Sequence, residues 1–361
     1  MSYSAHINSQ SPGCFLLLLD MSPYMRALAL DRPSRRMRIG DSAASVRTPY
    51  EECVSATNDF LESVVSRCMD GERIKPYYEL SVLGYTLSPD GTPALASLLP
   101  QIGPSIFHDV SDLERGKRWR DAKGELVTDD LTTAVFATWI DPAPAITHTS
   151  PIATELLIGS VRNWRQLHPT SFPPVIFHMT GGFQFPAQLE VMLRALLESY
   201  AVESEPLLFN CVVPRHKALG NLILPTLDVP PFDDLTLLSI WQSSSTLPKP
   251  IAQRLQGDEE VPQRFRCFCL AASRDATSQF LIHVFGILPS PGTLQGGKHS
   301  DLDAIRRTQR ETEYKRVAET RARNQEKRAQ WAYVISILSL TVSLLALLFT
   351  ILKSLMAIGS S

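Results

Sequence analysis

The chain has 361 residues, 44% of them hydrophobic, and a formal net charge of -2 from 35 basic and 37 acidic side chains. That length is enough for one large α/β domain or two ordinary ones, and the near-neutral balance excludes a global field for nucleic acid. Six cysteines without a C-x-x-C pair exclude a zinc-chelating framework and predict small buried thiols in a reducing compartment. The segment from Met1 to Gly13 carries no Lys or Arg, which excludes a secretory signal.

Residues 1–11 read as a disordered N-terminus and 12–288 as one domain. Six apolar residues in a row, Cys14 to Leu19, followed at once by a polar turn, predict a strand buried on both faces. Asp20 and Ser22 then fall just beyond its carboxyl end, the edge where open α/β sheets bind ligands. Arg26 to Val46 reads as a surface loop. Thr48-Pro49 followed by Glu51 and Glu52 predicts a helix start, and Cys53, Thr57, Leu61, Val64 and Cys68 keep helical spacing until Gly71. Tyr77 to Leu87 predicts a second strand, and 88–144 a hairpin-like insertion that closes on the apolar run Ala134 to Ile140.

Ser150-Pro151 predicts the cap and first turn of a helix through Trp164. Val175 to Met179 reads as a short buried strand, ended by Thr180-Gly181-Gly182, where positive φ is easily adopted. Gln184 to Ala201 reads as a helix, Leu207 to Val213 and Phe265 to Leu270 as strands, and Gln279 to Leu288 as the packing end of the domain. Strands alternating with helices predict the α/β class, a doubly wound, mostly parallel central sheet with helices on both faces.

Beyond the domain, 289–304 is a Pro/Gly/Ser linker and 305–330 a stalk with nine basic and four acidic residues. Trp331 to Leu352 then runs without a charge for 22 residues, about 33 Å of helix, which matches a bilayer's hydrocarbon thickness. The basic flank predicts that the preceding chain stays cytoplasmic, so a single-pass C-terminal membrane anchor is expected, with 353–361 as a short tail.

The first motif, Asp20-Met21-Ser22-Pro23-Tyr24, with Thr149-Ser150-Pro151 and Met179-Thr180-Gly181-Gly182, resembles the three loops of the von Willebrand factor A (VWA) family. The nearest branch is the intracellular bacterial one related to tellurite-resistance-associated proteins. Asn58-Asp59-Phe60-Leu61, Val82-Leu83-Gly84-Tyr85, Trp139-Ile140-Asp141-Pro142, His168-Pro169, Leu208-Phe209-Asn210 and Ser243 to Pro248 are similar to that branch as well, which spreads the resemblance over residues 12–288. The resemblance implies a VWA (Rossmann-like) fold and a metal-ion-dependent adhesion site. It also implies protein partners of a signalling or stress-response kind, kinases and phosphatases among them.

The departures alter the chemistry. Tyr24 stands where the family has a ligand serine, Ser150 where it has threonine, and Gly181 where it has aspartate. Asp20, Ser22 and Ser150 remain as candidate metal ligands, too few oxygens and too little charge for Mg²⁺, so a degenerate site with no resident cofactor is expected. Asp20, Ser22, Tyr24, Ser150 and Thr180 then form the expected partner-binding face.

No complete catalytic constellation is present, and no P-loop, nucleophile elbow or dinucleotide turn. The alternative reading is a Mg²⁺-dependent phosphohydrolase of the haloacid-dehalogenase kind using Asp20 as nucleophile, although Ser22 stands where that chemistry wants a second acid. His178, inside an apolar strand, reads as a hydrogen-bonded core residue.

Overall fold

Cys14 to Leu19 form the middle of a strand in which all eight residues, Gly13–Asp20, are buried, as a strand flanked and covered on both sides must be. A computed structural model describes residues 3, 5–27, 48–71, 73–99, 102–103, 105–120, 126–127, 136–141, 152–198, 205–214, 221–225, 232–256, 264–271 and 274–289. These lie in one compact unit, Met1–Gln295; the linker, stalk and apolar run of 289–361 lie outside the described residues, apart from Pro289. Among the described residues no helix is long and apolar enough to cross a membrane.

In chain order the elements are β1 Gly13–Asp20, α1 Pro23–Arg26, α2 Pro49–Cys68, β2 Met69–Asp70, β3 Arg73–Ile74, β4 Tyr78–Leu87, β5 Pro93–Ser97, β6 His108–Asp109, α3 Leu113–Gly116, β7 Arg118–Arg120, β8 Leu126–Val127 and β9 Phe136–Thr138. There follow α4 Thr154–Leu167, β10 Val175–Thr180, α5 Ala187–Leu197, β11 Leu207–Val212, β12 Leu222–Ile223, α6 Leu235–Ser243, α7 Lys249–Gln256, β13 Phe268–Leu270 and α8 Arg274–Ile287.

Among the described residues the central sheet runs β12-β13-β11-β10-β1-β4-β5, with β6 also on β4. β13, β11, β10, β1 and β4 are mutually parallel, and β5, β6 and β12 pair antiparallel at the margins. One face packs Phe15, Leu17, Leu19, Phe177 and Phe209 against α2 and α8, with Phe15 and Phe60 edge to face at 5.4 Å. The other face packs Leu16, Leu18, Ile176 and Leu208 against Leu157 and Val161 of α4 and Leu189, Met192 and Leu193 of α5. The alternation of side chains along each strand divides the two cores. The doubly wound, mostly parallel sheet expected from the sequence is present.

The local signals translate directly where they are strong. Thr48 caps α2 in a capping box with Glu51, and Pro49 opens the helix. All six cysteines are buried thiols. Asn58, on α2, accepts from the backbone N–H groups of Trp139 and Ile140 (2.8 and 3.0 Å) and donates to the Ile140 carbonyl (3.1 Å), clamping the end of the β7–β9 hairpin layer to the domain.

Four local expectations need correction. Pro93–Ser97, placed in an insertion by the sequence, pairs with β4 and extends the central sheet through the Ser88 to Thr92 turn. The helix expected to start at Ser150-Pro151 starts at Thr154, with Ala153 at the cap and no side-chain cap bond, because Ile152 is held in a bridge to Leu95. Ser150 itself lies outside the described residues. The helix expected over Gln184 to Ala201 is the shorter Ala187–Leu197, entered from Pro186. Helices α6 and α7 were not anticipated: Leu235–Ser243 is apolar at most positions, so its period is hidden, and it is Asp234 that caps it.

Candidate functional site

The chain leaves β1 for α2 on one face of the sheet and leaves the adjacent, parallel β10 for α5 on the other. Two neighbouring strands whose connections depart in opposite directions open a crevice at their carboxyl ends, where ligands of doubly wound sheets bind. Asp20 ends β1 and Thr180 ends β10, so both sequence candidates stand at that switch point.

Asp20 is 7% exposed. Its Oδ1 accepts from the Ser22 backbone N–H at 2.8 Å, an Asx turn that folds the loop back, and its Oδ2 accepts from the Thr180 hydroxyl at 3.0 Å. The Thr180 Oγ1 in turn accepts from the Gly182 N–H at 3.3 Å. Above this buried rung lies a second one: the rings of Tyr24 and Phe183 stack with centroids 4.5 Å apart and planes at 12°. The Tyr24 ring rests on Gly181, where a Cβ would stand 2.7 Å from Cε1, a separation real side chains do not adopt. Gly182, at φ 69°, sits in the left-handed region, and a Cβ there would also meet Val212 at 2.7 Å.

The structure thus brings Asp20, Ser22, Tyr24 and Thr180 together. Ser150, the remaining candidate ligand and face residue, lies outside the described residues. Among the described residues no group of three or more His, Cys, Asp or Glu can hold a metal ion. Asp20 supplies one carboxylate whose two oxygens each already accept an internal hydrogen bond, and the space over Gly181 is filled by a ring. Among the described residues that donor set does not fit a hard divalent ion, which wants about six oxygens and charge to offset its dehydration.

Behind the crevice runs a buried polar chain that sequence reasoning recognised only at His178. The Tyr85 hydroxyl reaches across β1 to His178 Nε2 at 2.8 Å, and His178 Nδ1 meets Asn210 Oδ1 at 2.7 Å. The Asn210 amide then donates to the Ile240 carbonyl at 3.1 Å and the Ser244 hydroxyl at 2.9 Å. Because Asn210 Oδ1 can only accept, Nδ1 carries the proton; burial favours the neutral imidazole, whose Nε2 then accepts from the Tyr85 hydroxyl. The legible signal was Asn210, the single polar residue of the apolar strand β11; Tyr85 gave none, because β4 also holds Glu79, Ser81 and Thr86.

Burial pulls the His178 imidazole below its usual 6.5, against smaller opposite effects of the Asn210 bond and the Asp20 charge. Burial likewise holds the Tyr85 phenol and the Cys53 thiol well above their usual values, with Asp20 adding to both, so neither ionises near neutrality. Since His178 takes up its proton more readily unfolded than folded, stability is lost as pH falls below about 6.5. Between pH 7 and 5.5 this is expected to cost about 1 kcal/mol in urea unfolding. Glu79, raised by burial beside His168, works in the opposite direction, so the measurement compares wild type with His178→Gln. An identical pH slope in the two would remove His178 as the cause.

No protein-family model matches the chain, nor does any curated protein. Among solved structures, similarity extends to a variant, with multiple mutations to serine, of an aerotolerance-related membrane protein from Bacteroides fragilis. It covers 82% of this chain and 97% of that one, at a TM-score of 0.29 and 8% identity. A likeness of that size carries no argument about family or activity. The class assignment rests on the sheet itself: the described chain is an α/β protein with a mostly parallel, doubly wound sheet and a crevice at the β1–β10 switch point.

Proposed function

We propose that the protein is a membrane-tethered, non-enzymatic binding module of the VWA type, in which the carboxyl edge bearing Asp20, Ser22, Tyr24, Ser150 and Thr180 receives a protein partner. Trp331 to Leu352 forms its membrane anchor, and the basic residues of 305–330 keep the domain in the cytoplasm. The edge keeps the position of an adhesion site and has lost its ion. The observation that carries this reading is the Tyr24 ring lying on Gly181 and stacked on an exposed Phe183. An aromatic contact surface stands where the family has metal ligands. Partners of a signalling or stress-response kind, kinases and phosphatases included, are the class to seek.

The test is copurification of the full chain from membranes in nonionic detergent with a chelator present throughout, with Phe183→Ser in parallel. A specific partner retained without divalent ions and lost on Phe183→Ser is the expected result. Retention that returns only with added Mg²⁺ would show that the ion is still used, and no partner at all, or phosphoester turnover abolished by Asp20→Asn, would sink the binding reading.

A further inference from the structure

Asp20 is nearly buried and makes no ion pair among the described residues. Two of the roughly four acceptor positions on its carboxylate are used, one by the Ser22 N–H and one by the Thr180 hydroxyl. A carboxylate withdrawn from water favours a cationic complement, and none meets Asp20 among the described residues.

What flanks it is aromatic and acidic. Thr180, which holds Asp20, precedes Gly181, and the Tyr24 ring lies on that glycine. Phe183, stacked on Tyr24 through one face, is 60% exposed. Leu237 of α6 lies 3.0 Å from where a Gly182 Cβ would stand, which brings the first turn of α6 to the same crevice. With it come Asp233 and Asp234, both exposed and without an ion pair among the described residues, and Leu235, 78% exposed. Among the described residues of the β1 loop the basic side chain is Arg26, whose guanidinium lies 5.3 Å from the centroid of the Tyr50 ring.

One carboxylate is too little for a divalent metal, yet one carboxylate beside stacked aromatic faces suits a planar organic cation. A guanidinium forks onto a carboxylate and lies flat on rings; an ammonium is a strongly hydrated point charge and uses the plane less well. Resting on the protein-binding reading above, we propose that the crevice receives an arginine side chain from an extended segment of the partner protein. Its guanidinium meets Asp20 and stacks on the Tyr24–Phe183 pair, and Asp233 and Asp234 attract flanking positive charge.

The test is selection of a displayed random-peptide library on the full chain in nonionic detergent, with separate chelator and Mg²⁺ arms, against wild type, Asp20→Asn and Phe183→Ser. Expected are peptides with arginine fixed at one position, enriched in chelator and lost on both variants. Replacing that arginine by citrulline, which keeps the shape and removes the charge, is expected to weaken binding on the order of tenfold. Phe183-dependent peptides without a fixed arginine overturn the arginine assignment and leave the protein-binding reading standing. Peptides with a fixed Asp or Glu that need Mg²⁺ overturn both the assignment and the loss of the ion. Absence of any Phe183-dependent peptide overturns the assignment and the binding reading together. If Asp20→Asn fails to fold, Phe183→Ser, altered at an exposed side chain, carries the comparison.

Discussion

Asn210→Leu is expected to lower the unfolding free energy by about 3 kcal/mol, most of it from polar groups left unpaired in the core. Asn210 is fully buried in β11 and joins His178 in β10 to the carboxyl end of α6. Leucine fills a similar volume and recovers some transfer energy, roughly 1–2 kcal/mol. Against this, the His178 Nδ1–H loses its 2.7 Å acceptor at a fully buried position, and the Ser244 hydroxyl loses a donor. The Ile240 carbonyl suffers less, because it also accepts from the hydroxyls of Ser243 and Ser244. Urea unfolding at neutral pH measures the difference; a change below about 1 kcal/mol would mean that the polar chain behind the crevice is not a stabilising network. Because β10 ends at Thr180, slackening this anchor is expected to weaken partner binding as well.

The second large effect is expected at Asn58→Ala, about 2–4 kcal/mol, with local exposure of the hairpin layer. One side chain, 8% exposed, satisfies two backbone N–H groups and contributes to one carbonyl in the segment that ends at Asp141. Alanine removes the acceptor that both N–H groups share. The Ile140 carbonyl retains the Thr138 hydroxyl at 3.1 Å. Amide hydrogen exchange at Trp139 and Ile140, read together with urea unfolding, separates the outcomes: protection that persists in the variant would show that the clamp is redundant. Asn58→Asp, which can still accept from both N–H groups, is expected to fall between wild type and alanine.

Much of the fold was legible because its signals are local. The run from Cys14 to Leu19 reads as a strand covered on both faces and is one, Thr48-Pro49 with Glu51 is a complete helix start, and Gly182 marks a turn at positive φ that L side chains rarely adopt. Where the signal was incomplete the reading slipped. Ser150-Pro151 has the composition of a helix start, yet the bridge from Ile152 to Leu95 delays the helix to Thr154, and that pairing depends on β5 lying at the sheet edge. Leu235–Ser243 lacks a clear period because its five apolar residues are too crowded in so short a segment to mark one face.

The sequence by itself determined a doubly wound sheet, the strand at its centre, and the residues of its loops: Asp20, Ser22 and Tyr24 after β1, Thr180 and Gly181 after β10. Only the tertiary structure decided what those residues do to one another. Thr180 meets Asp20 across 160 positions of chain and Tyr85 meets His178 across 93, contacts that exist because β10, β1 and β4 are neighbours in the sheet. Strand order is fixed by which faces must be buried together, a property of the whole core, so no spacing within one loop records it. The same holds for the glycine at 181: its identity was plain in the sequence, but that it makes room for a stacked aromatic pair follows from β1 and β10 lying side by side.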